Sequence, residues 1–440
     1  MESLHAVSGD ASYLRGTPGG VLAPGSVDEV ATAIRWARKH RVPVVARGAG
    51  SSLDGESVPA AGALVLELAG WDRVVEVDPE NRLCRVQPGV VNRTLQRELA
   101  SYGLFFPPNP GSWRTSTVGG NASTNASGPR SLRYGPTRRW VRGWEAVLGT
   151  GTPLRLERGA SKQSAGPDLL GLFIGSEGTL GIFTELLVEL APLPERRQAV
   201  VVPLVPDLSL RALAGALSGR AGRSCGVSAA EYLDAGTAEE LHRTASSRIP
   251  GGRPVVLLEV ESDALEADRC LGQLFGLLRE FRLEAEATVF PEADELWTLR
   301  GEAGNLLDRR FGHRVREDVA VPISRLDELL RGIEVLAVGS GIPVYLYGHL
   351  GEANLHPNFV VDPSSAAASE LRIRLLALAR SLGGTISAEH GIGALKAPFL
   401  EHELGAAGVE LLRGIKRLCD PDGILNPGKL LPPVPVAPGG

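Results

Sequence analysis

Two short segments in the last third of the sequence place histidines beside glycine and an acidic residue. His349 and His356 lie on either side of a glycine bend after an apolar stretch, and Glu389 and His390 lie in a second segment that glycine follows. Two imidazoles and one carboxylate can hold a divalent ion and leave coordination positions open, as hydrolytic zinc and non-haem iron sites do. Single histidines are usually surface or core residues. Here three of the 8 histidines fall in these two segments, so we interpret the segments as one shared site.

A loop of small residues, 47–52, follows a short apolar stretch near the start of the chain. Backbone N–H groups in such a loop can turn inward around a diphosphate, and Gly48 and Gly50 can adopt the positive φ that a tight turn needs. Taken alone, this loop is more often an ordinary glycine turn. The diphosphate hypothesis therefore depends on the rest of the chain.

Residues 107–128 are almost all small and almost uncharged, and a third glycine-rich segment follows at 174–182. A disordered linker would have such a composition, but apolar stretches at 141–148 and 169–174 come after it. Small side chains let the backbone approach a large flat ligand closely, and Ser, Thr and Asn supply hydrogen bonds to its hydroxyls, phosphates and ring edges. We therefore favour a buried ligand-binding segment.

The elements around these segments indicate a mixed α+β chain. Ser26 and Glu29 form a capping box that opens a helix before the first glycine loop. Strands are predicted at 63–68, 74–77 and 83–86, and a helix at 92–102. No Gly-x-Gly-x-x-Gly turn between strand and helix is present, which argues against a Rossmann nicotinamide site.

Two prolines, Pro192 and Pro194, are expected to close the first domain, because proline breaks both helices and central strands. Beyond them, strands alternate with helices and predict an antiparallel sheet covered on one face. The predicted strands are 200–205 and 255–261, and the predicted helices are 208–217, 264–281 and 326–336.

Composition limits the class of protein. The chain has 440 residues, is 43% hydrophobic and carries a net charge of -5, which argues against a nucleic-acid binder. No apolar run reaches membrane-spanning length and the first residues do not resemble a signal peptide, so we expect a cytoplasmic protein, with peripheral membrane attachment as the alternative. The 4 cysteines form no CxxC pair, so redox chemistry would need a cofactor rather than an iron–sulfur cluster of its own.

The three glycine-rich segments, in this order and spacing, resemble the FAD-binding domain of the vanillyl-alcohol oxidase / p-cresol methylhydroxylase flavoproteins. The resemblance implies a two-subdomain, PCMH-type FAD-binding domain over residues 1–195. It also implies non-covalent FAD, because this chain lacks the His or Cys at which some relatives link the flavin. The residues implied to bind FAD are Arg47, Gly48, Ala49, Gly50, Ser51, Ser52, Gly55, Pro110, Gly111, Thr117, Gly119, Gly120, Ser123, Asn125, Gly128, Glu177 and Ile182.

The second half, 196–440, resembles the C-terminal antiparallel-sheet substrate domain of FAD-linked 2-hydroxy-acid dehydrogenases, the group that contains glycolate oxidase, D-lactate dehydrogenase and D-2-hydroxyglutarate dehydrogenase. The resemblance implies that the last 20 or so residues return to the flavin. The implied roles are metal binding by His349, His356 and Glu389, proton abstraction by His390, substrate carboxylate binding by Arg300 and Arg316, and flavin contact by Asn426. The implied metal is divalent, either Zn or Mn/Fe. Solvated surface positions are the alternative for the two arginines.

The resemblance implies oxidation of a small D-2-hydroxy acid, of the glycolate or D-lactate type, to the 2-oxo acid. Hydride would pass to flavin N5, and the electrons would then pass to a quinone, an electron-transfer flavoprotein or an iron–sulfur subunit. Two alternatives stay open: a non-catalytic electron-relay subunit, and an oxidase of another alcohol. A homodimer also stays open.

The chain departs from the family pattern at three places near the predicted site. Glu352 and Ala353 stand where relatives usually have Asp and Gly, Arg316 replaces a lysine, and Gly304 replaces a hydroxyl residue of some relatives. Arginine presents a wider, planar fork than lysine. These differences leave the identity of the substrate open.

Overall fold

The structure is a computed structural model that describes residues 2–160, 162–244, 248–290 and 293–431. The strands β1 to β18, in chain order, are Gly20–Leu22, Val44–Arg47, Leu64–Glu67, Val74–Asp78, Leu83–Val86, Leu104–Phe105, Val141–Leu148, Pro153–Glu157, Gly181–Glu189, Ala191–Pro192, Arg196–Pro203, Val227–Leu233, Val255–Ser262, Thr288–Phe290, Val315–Arg316, Val319–Ala320, Val344–His349 and Asn354–Phe359. The helices α1 to α15 are Glu2–Ala6, Val27–His40, Asn92–Leu99, Val118–Thr124, Ser131–Tyr134, Leu169–Phe173, Leu210–Ser218, Arg220–Ser224, Ala235–Thr244, Ala267–Glu280, Ala293–Gly301, Ala303–Phe311, Leu326–Ser340, Ala366–Ser381 and Leu400–Cys419.

The chain divides into two compact units that each draw on separate stretches of sequence. Unit 1 contains Met1–Ser127, Pro136–Leu193 and the described chain from Glu389 onward. Unit 2 contains Gly128–Gly135 and Pro194–Ala388. The domain limits expected from the sequence, 1–195 and 196–440, stay predictions.

Unit 1 contains a parallel sheet of order β1-β3-β2, an antiparallel sheet of order β4-β5-β9-β7-β8, and the pair β10-β6. The predicted capping of α2 is confirmed, since the Ser26 side chain accepts a hydrogen bond from the Glu29 backbone N–H at 3.2 Å. The reciprocal bond differs from the capping box, because the Glu29 carboxylate accepts from the Gly25 N–H at 2.8 Å. Ile34 of α2, Val44 of β2 and Leu425 pack in one apolar core, which fixes the start of the first glycine loop.

Unit 2 is built on an antiparallel sheet of order β14-β11-β13-β12-β17-β18-β15, with β16 also paired to β18. The predicted antiparallel arrangement is confirmed, but cover on one face only is wrong for the centre of the sheet. Every residue of β12 and of β18 is buried, so both faces are covered there. Residues of β11, β12 and β13 pack with α9, α11 and α12 in a core that includes Val201, Leu233, Leu257, Leu241 and Leu296.

One face of the unit 2 sheet changes from apolar to charged along the strands. On β13, Val255 and Leu257 belong to the apolar core, whereas Glu259 and Glu261, which alternate with the same period, are fully or almost fully buried acids. The next strand, β12, carries the buried Glu231 in the same way. The sheet therefore positions buried acids beyond the end of its apolar core.

The segment Gly128–Gly135 packs with unit 2 through this charged part of the sheet. Arg130 binds Glu259 through two nitrogens, with Nε at 2.7 Å from Oε1 and Nη2 at 3.1 Å from Oε2. The Tyr134 hydroxyl donates to the Glu261 carboxylate. A short piece of the first half of the sequence thus completes the second unit.

Candidate active site

The first glycine loop begins where β2 ends, and glycine is required there by close packing. A Cβ at Gly48 would overlap Thr117 Oγ1, and Gly50 has a φ of 64° at a position where an added Cβ would overlap the Arg47 guanidinium. Arg47 itself is buried. The predicted phosphate loop and the second small-residue segment are therefore in contact.

The second segment turns into helix α4, which Thr117 caps. The Thr117 side chain accepts a hydrogen bond from the Gly120 N–H at 3.2 Å. A Cβ at Gly119 would overlap Pro88, so this glycine too is needed for close packing. Ser123 turns back on the helix and donates to the Gly119 carbonyl at 2.8 Å.

The third segment is held by the returning end of the chain. Glu177 lies in the left-handed region with a φ of 54°, and its carboxylate accepts from the Ile392 N–H at 2.6 Å and from the Gly393 N–H at 2.9 Å. Asn426 donates through Nδ2 to the Glu56 carbonyl at 2.8 Å and to the Glu177 carbonyl at 2.7 Å. Residues far apart in sequence therefore converge in unit 1.

Buried carboxylates surround this junction. Burial raises the pKa of Glu177 to about 7, although its backbone hydrogen bonds act in the opposite direction. Burial, with the charges of Glu177 and Asp54 beside it, also raises the pKa of Glu56 well above its usual value. Asp54 forms a buried ion pair with Lys396 at 3.2 Å. The acids of this cluster cannot all be ionised without cost.

The structure also locates the remaining predicted FAD residues. Ala49 and Gly111 are exposed, Ser51, Ser52 and Gly120 are half-buried, Pro110 and Gly55 are buried, and Ile182 lies in the apolar core with Leu425. Asn125 has a φ of 54° and its side-chain oxygen accepts from the Arg138 N–H at 2.9 Å. Gly128 belongs to unit 2.

Several buried polar atoms of unit 1 have no hydrogen-bond partner among the described residues, and they fit a polar ligand. An unsatisfied buried polar group costs roughly 1–3 kcal/mol, so native proteins keep few of them without a purpose. Most of these atoms lie in or beside the three glycine-rich segments and the returning chain end, and they can pair with phosphates, hydroxyls and ring carbonyls of a ligand. They are Arg47 Nη1, Ser116 Oγ, Asn121 Nδ2, Ser176 Oγ and Asn426 Oδ1.

In unit 2, the predicted histidines come from two neighbouring strands. β17 and β18 are antiparallel, with His349 opposite Asn354 and Tyr347 opposite His356. The two imidazoles are buried, and their Nε2 atoms are 3.4 Å apart. The sheet therefore brings two of the three predicted metal ligands together in one place.

The turn between these strands holds Ala353 in a left-handed conformation. Ala353 has a φ of 51° and is fully buried. A left-handed conformation costs a residue with a Cβ about 1 kcal/mol. Glu352, the longer acid beside it, accepts a hydrogen bond from Ser131 Oγ at 2.5 Å.

Each histidine has a carboxylate on its Nδ1 side. Glu231 Oε1 lies 2.5 Å from His349 Nδ1, and Asp318 Oδ1 lies 3.5 Å from His356 Nδ1. Burial alone would raise the pKa of Glu231, but the neighbouring His349 and Arg300 outweigh it and hold that pKa below its usual value. Carboxylates in this position orient a histidine and leave Nε2 as the ligand atom of a metal.

Both predicted arginines lie near the histidines on the sheet. Arg300, on α11, is 8% exposed and binds Glu231 through Nε at 2.8 Å and Nη2 at 2.6 Å, with its guanidinium 4.6 Å from the Tyr347 ring centroid. Arg316 pairs with Asn358 across β15 and β18, two residues from His356, and its Nη1 lies 3.8 Å from Asp308. Arg300 is therefore not the solvated surface arginine that was the alternative.

The remaining predicted residues of the chemistry belong to unit 1. Glu389 and His390 are half-buried, and Ser127 Oγ donates to Glu389 Oε2 at 3.0 Å. His390 Nε2 lies 3.6 Å from Glu389 Oε1. Gly391, next in the chain, has a φ of 93° and packs beside the carboxyl groups of Glu56 and Glu177.

Sequence reasoning missed Glu231, which binds both His349 and Arg300. A signal was present, because a single acid stands in the otherwise uncharged stretch 227–233. A charge in the middle of a buried strand is rare unless it is paired. The position of Asp318 beside His356 was also missed.

Among the described residues, the hydropathy of every helix is too low, or its length too short, for a bilayer-spanning segment.

Comparison with known proteins agrees with this architecture. An FAD binding domain model matches residues 18–157, and a model of the C-terminal domain of FAD linked oxidases matches residues 194–430. Two similar proteins are glycolate oxidase subunit GlcD of Bacillus subtilis (strain 168), 34% identical over 94% of this chain and 89% of that protein, and D-lactate dehydrogenase of Archaeoglobus fulgidus, 34% identical over 93% of this chain and 91% of that protein.

The fold is also that of a solved structure. The structure of p-cresol methylhydroxylase with substrate bound superposes with a TM-score of 0.81 over 98% of this chain and 93% of that chain, at 17% identity. The PCMH-type fold expected from the glycine-rich segments is therefore confirmed. The chain belongs to the family of FAD-linked oxidases and is an FAD-dependent oxidoreductase.

Proposed function

We propose that this enzyme oxidises a small D-2-hydroxy acid, of the glycolate or D-lactate type, to the 2-oxo acid. The observation that carries the proposal is the buried group in unit 2, where Glu231 binds His349 and Arg300 and the Nε2 atoms of His349 and His356 are 3.4 Å apart. A 2-hydroxy acid offers matching chemistry, a hydroxyl oxygen for a cation and a carboxylate for a guanidinium. The names of the two relatives above support the same substrate class.

FAD, when bound, accepts the hydride of the substrate carbon at its N5 atom. In this proposal the chain holds FAD without a covalent bond. Arg47 and the loop it begins bind the diphosphate, while Thr117, Asn121 and Asn426 hold the sugar and ring regions. The buried, unsatisfied polar atoms of Arg47, Asn121 and Asn426 and the close packing of Gly48 against Thr117 support this assignment. The electrons then leave to a quinone, an electron-transfer flavoprotein or an iron–sulfur subunit.

The proposed metal ligands in unit 2 are the Nε2 atoms of His349 and His356. A divalent ion such as Zn or Mn/Fe would stabilise negative charge on the substrate oxygen when bound. Glu389 as a third ligand and His390 as the base are proposed from their sequence motif. Imidazole has an unperturbed pKa near 6.5, which suits proton abstraction at neutral pH.

Arg300 is proposed to bind the substrate carboxylate. Its Nε donates to Glu231 and its Nη2 lies 2.6 Å from the same carboxylate oxygen, and the remaining N–H groups of the fork can still donate to a second carboxylate. Arg316 is proposed as a second cation for the substrate, with a wider fork than the lysine of relatives.

The test is an anaerobic titration of the FAD-loaded protein with glycolate, D-lactate, L-lactate and D-2-hydroxyglutarate, followed by the visible flavin spectrum. We expect one D-2-hydroxy acid or glycolate to bleach the flavin, and His390→Ala to slow bleaching at least roughly 100-fold while FAD stays bound. His402→Ala, an exposed histidine on α15, is the control and should bleach like the wild type.

The outcome discriminates between the candidate functions. Bleaching by an alcohol without a carboxylate would replace the proposal with oxidation of another alcohol. A flavin that no donor bleaches, but that a reduced partner protein reduces, would replace it with the electron-relay subunit.

A further inference from the structure

We propose that Glu231 is a positioning residue that fixes the imidazole of His349 for metal binding and the guanidinium of Arg300 for the substrate carboxylate. The inference rests on the proposed function and extends it to a residue outside the predicted metal and substrate ligands. One buried carboxylate then orients both the metal-binding imidazole and the substrate-binding guanidinium.

Strand register places Glu231 beside both groups. β12 and β17 are antiparallel, and Glu231 lies directly opposite His349. Oε1 is 2.5 Å from His349 Nδ1, and Oε2 is 2.8 Å from Arg300 Nε. The side chain of Glu231 is fully buried, so water does not compete for these bonds.

The contact determines which nitrogen of His349 can bind a cation. A carboxylate only accepts, so His349 Nδ1 carries the hydrogen and donates it to Glu231. Nε2 then keeps its lone pair and points toward His356 Nε2 at 3.4 Å. A carboxylate behind a histidine in this way also raises the basicity of the ligating nitrogen.

The same carboxylate fixes the plane of the Arg300 fork. Nε donates to Oε2 and Nη2 lies 2.6 Å from the same oxygen, so this edge of the guanidinium is held against Glu231. The Tyr347 ring, 4.6 Å from the guanidinium carbon, packs against its face. The free edge of the fork is therefore directed by Glu231 before any substrate binds.

The neighbouring strand supplies a matched control. Glu259 on β13 is as deeply buried as Glu231 and also binds an arginine, although through both of its oxygens, and its partners are Arg130 and Ser228. Replacing either acid by glutamine removes one buried charge from the same sheet. Only the Glu231 replacement removes a partner of His349.

The experiment measures Zn²⁺ affinity of the FAD-loaded protein by competition with a chromophoric chelator. We expect Glu231→Gln to weaken Zn²⁺ binding 10- to 100-fold, the range typical of outer-shell partners, and Glu259→Gln to leave it within about twofold of the wild type. Because Arg300 loses its orientation, KM for the hydroxy acid should rise in Glu231→Gln and not in Glu259→Gln.

A second measurement needs no variant at the acid. Histidine ¹⁵N spectra of the wild type, assigned with His349→Ala, should show the Nδ1–H tautomer for His349. The Nε2–H tautomer would overturn the inference even if Glu231→Gln failed to fold.

The remaining outcomes separate this inference from the proposed function. Zn²⁺ affinity that is lost in His349→Ala but unchanged in Glu231→Gln would overturn the positioning role and leave the metal site intact. Equal weakening in the two glutamine variants would also overturn it, because loss of any buried charge would then suffice. Zn²⁺ binding that does not depend on His349 would overturn both.

Discussion

Glu177 provides a direct test of the buried acid cluster in unit 1. Its pKa is raised by burial from the ordinary 4.5 to about 7, so the folded protein holds a proton that the unfolded chain releases at lower pH. The stability that belongs to the protonated form is fully present below pH 4.5. It is lost as the pH rises toward 7, and the loss is complete above that value.

The size of this loss follows from the interval between the two pKa values. At about 1.4 kcal/mol per pH unit, the interval corresponds to about 3 kcal/mol of unfolding free energy. For a domain of this size, that change moves Tm by roughly 6–12 °C. The neighbouring Glu56 acts in the same direction, because burial, together with the charges of Glu177 and Asp54, raises its pKa well above the usual value.

The assay compares Tm of the wild type and of Glu177→Gln across pH 4.5 to 8. The variant cannot ionise at this position. The Tm of the wild type should therefore fall relative to the Tm of Glu177→Gln by the stated amount as the pH rises from 4.5 to 8. Glu410→Gln on the exposed face of α15 should keep the wild-type dependence. A difference between wild type and Glu177→Gln that does not change with pH would refute the raised pKa and the buried cluster behind it.

Two further substitutions test the packing of unit 1. Gly48→Ala should weaken FAD binding at least roughly 10-fold, because the new methyl overlaps Thr117 Oγ1. Flavin fluorescence titration measures the affinity, and an unchanged value in Gly48→Ala would contradict the contact. Lys396→Met should lower the unfolding free energy by about 3–5 kcal/mol, because it removes the cation that lies beside the buried Asp54 carboxylate. Denaturant unfolding measures this loss, and a loss of less than about 1 kcal/mol would contradict the ion pair.

The local structure could be predicted well from the sequence. The helix after Ser26 and the strands around residues 200 and 255 form where periodicity predicted them, because capping and alternation depend on near neighbours. The helix predicted at 92–102 is shorter and ends at Leu99 in a 3-10 turn. The glycine positions also indicated close packing, since a Cβ at Gly48 or at Gly119 would overlap a neighbouring residue.

The contacts of the site were less accessible from the sequence. Glu231 meets His349 only because β12 pairs with β17, and no local pattern sets that register. Asn426 reaches the Glu56 carbonyl across 370 residues. The two histidines could be grouped from the sequence because a single bend separates them, whereas their carboxylate partners come from other strands.

The division of unit 1 into separate stretches affects how the protein is made. Val44 of the early strand β2 pairs with Leu425, and Lys416 donates to the Thr179 and Leu425 carbonyls at 2.7 Å each. On the ribosome, the chain before Pro194 emerges first but lacks these partners until residues 416–425 have been translated. The first unit therefore stays partly folded while the second unit is synthesised. A stop codon before Lys416 should destabilise the part of unit 1 that was translated first.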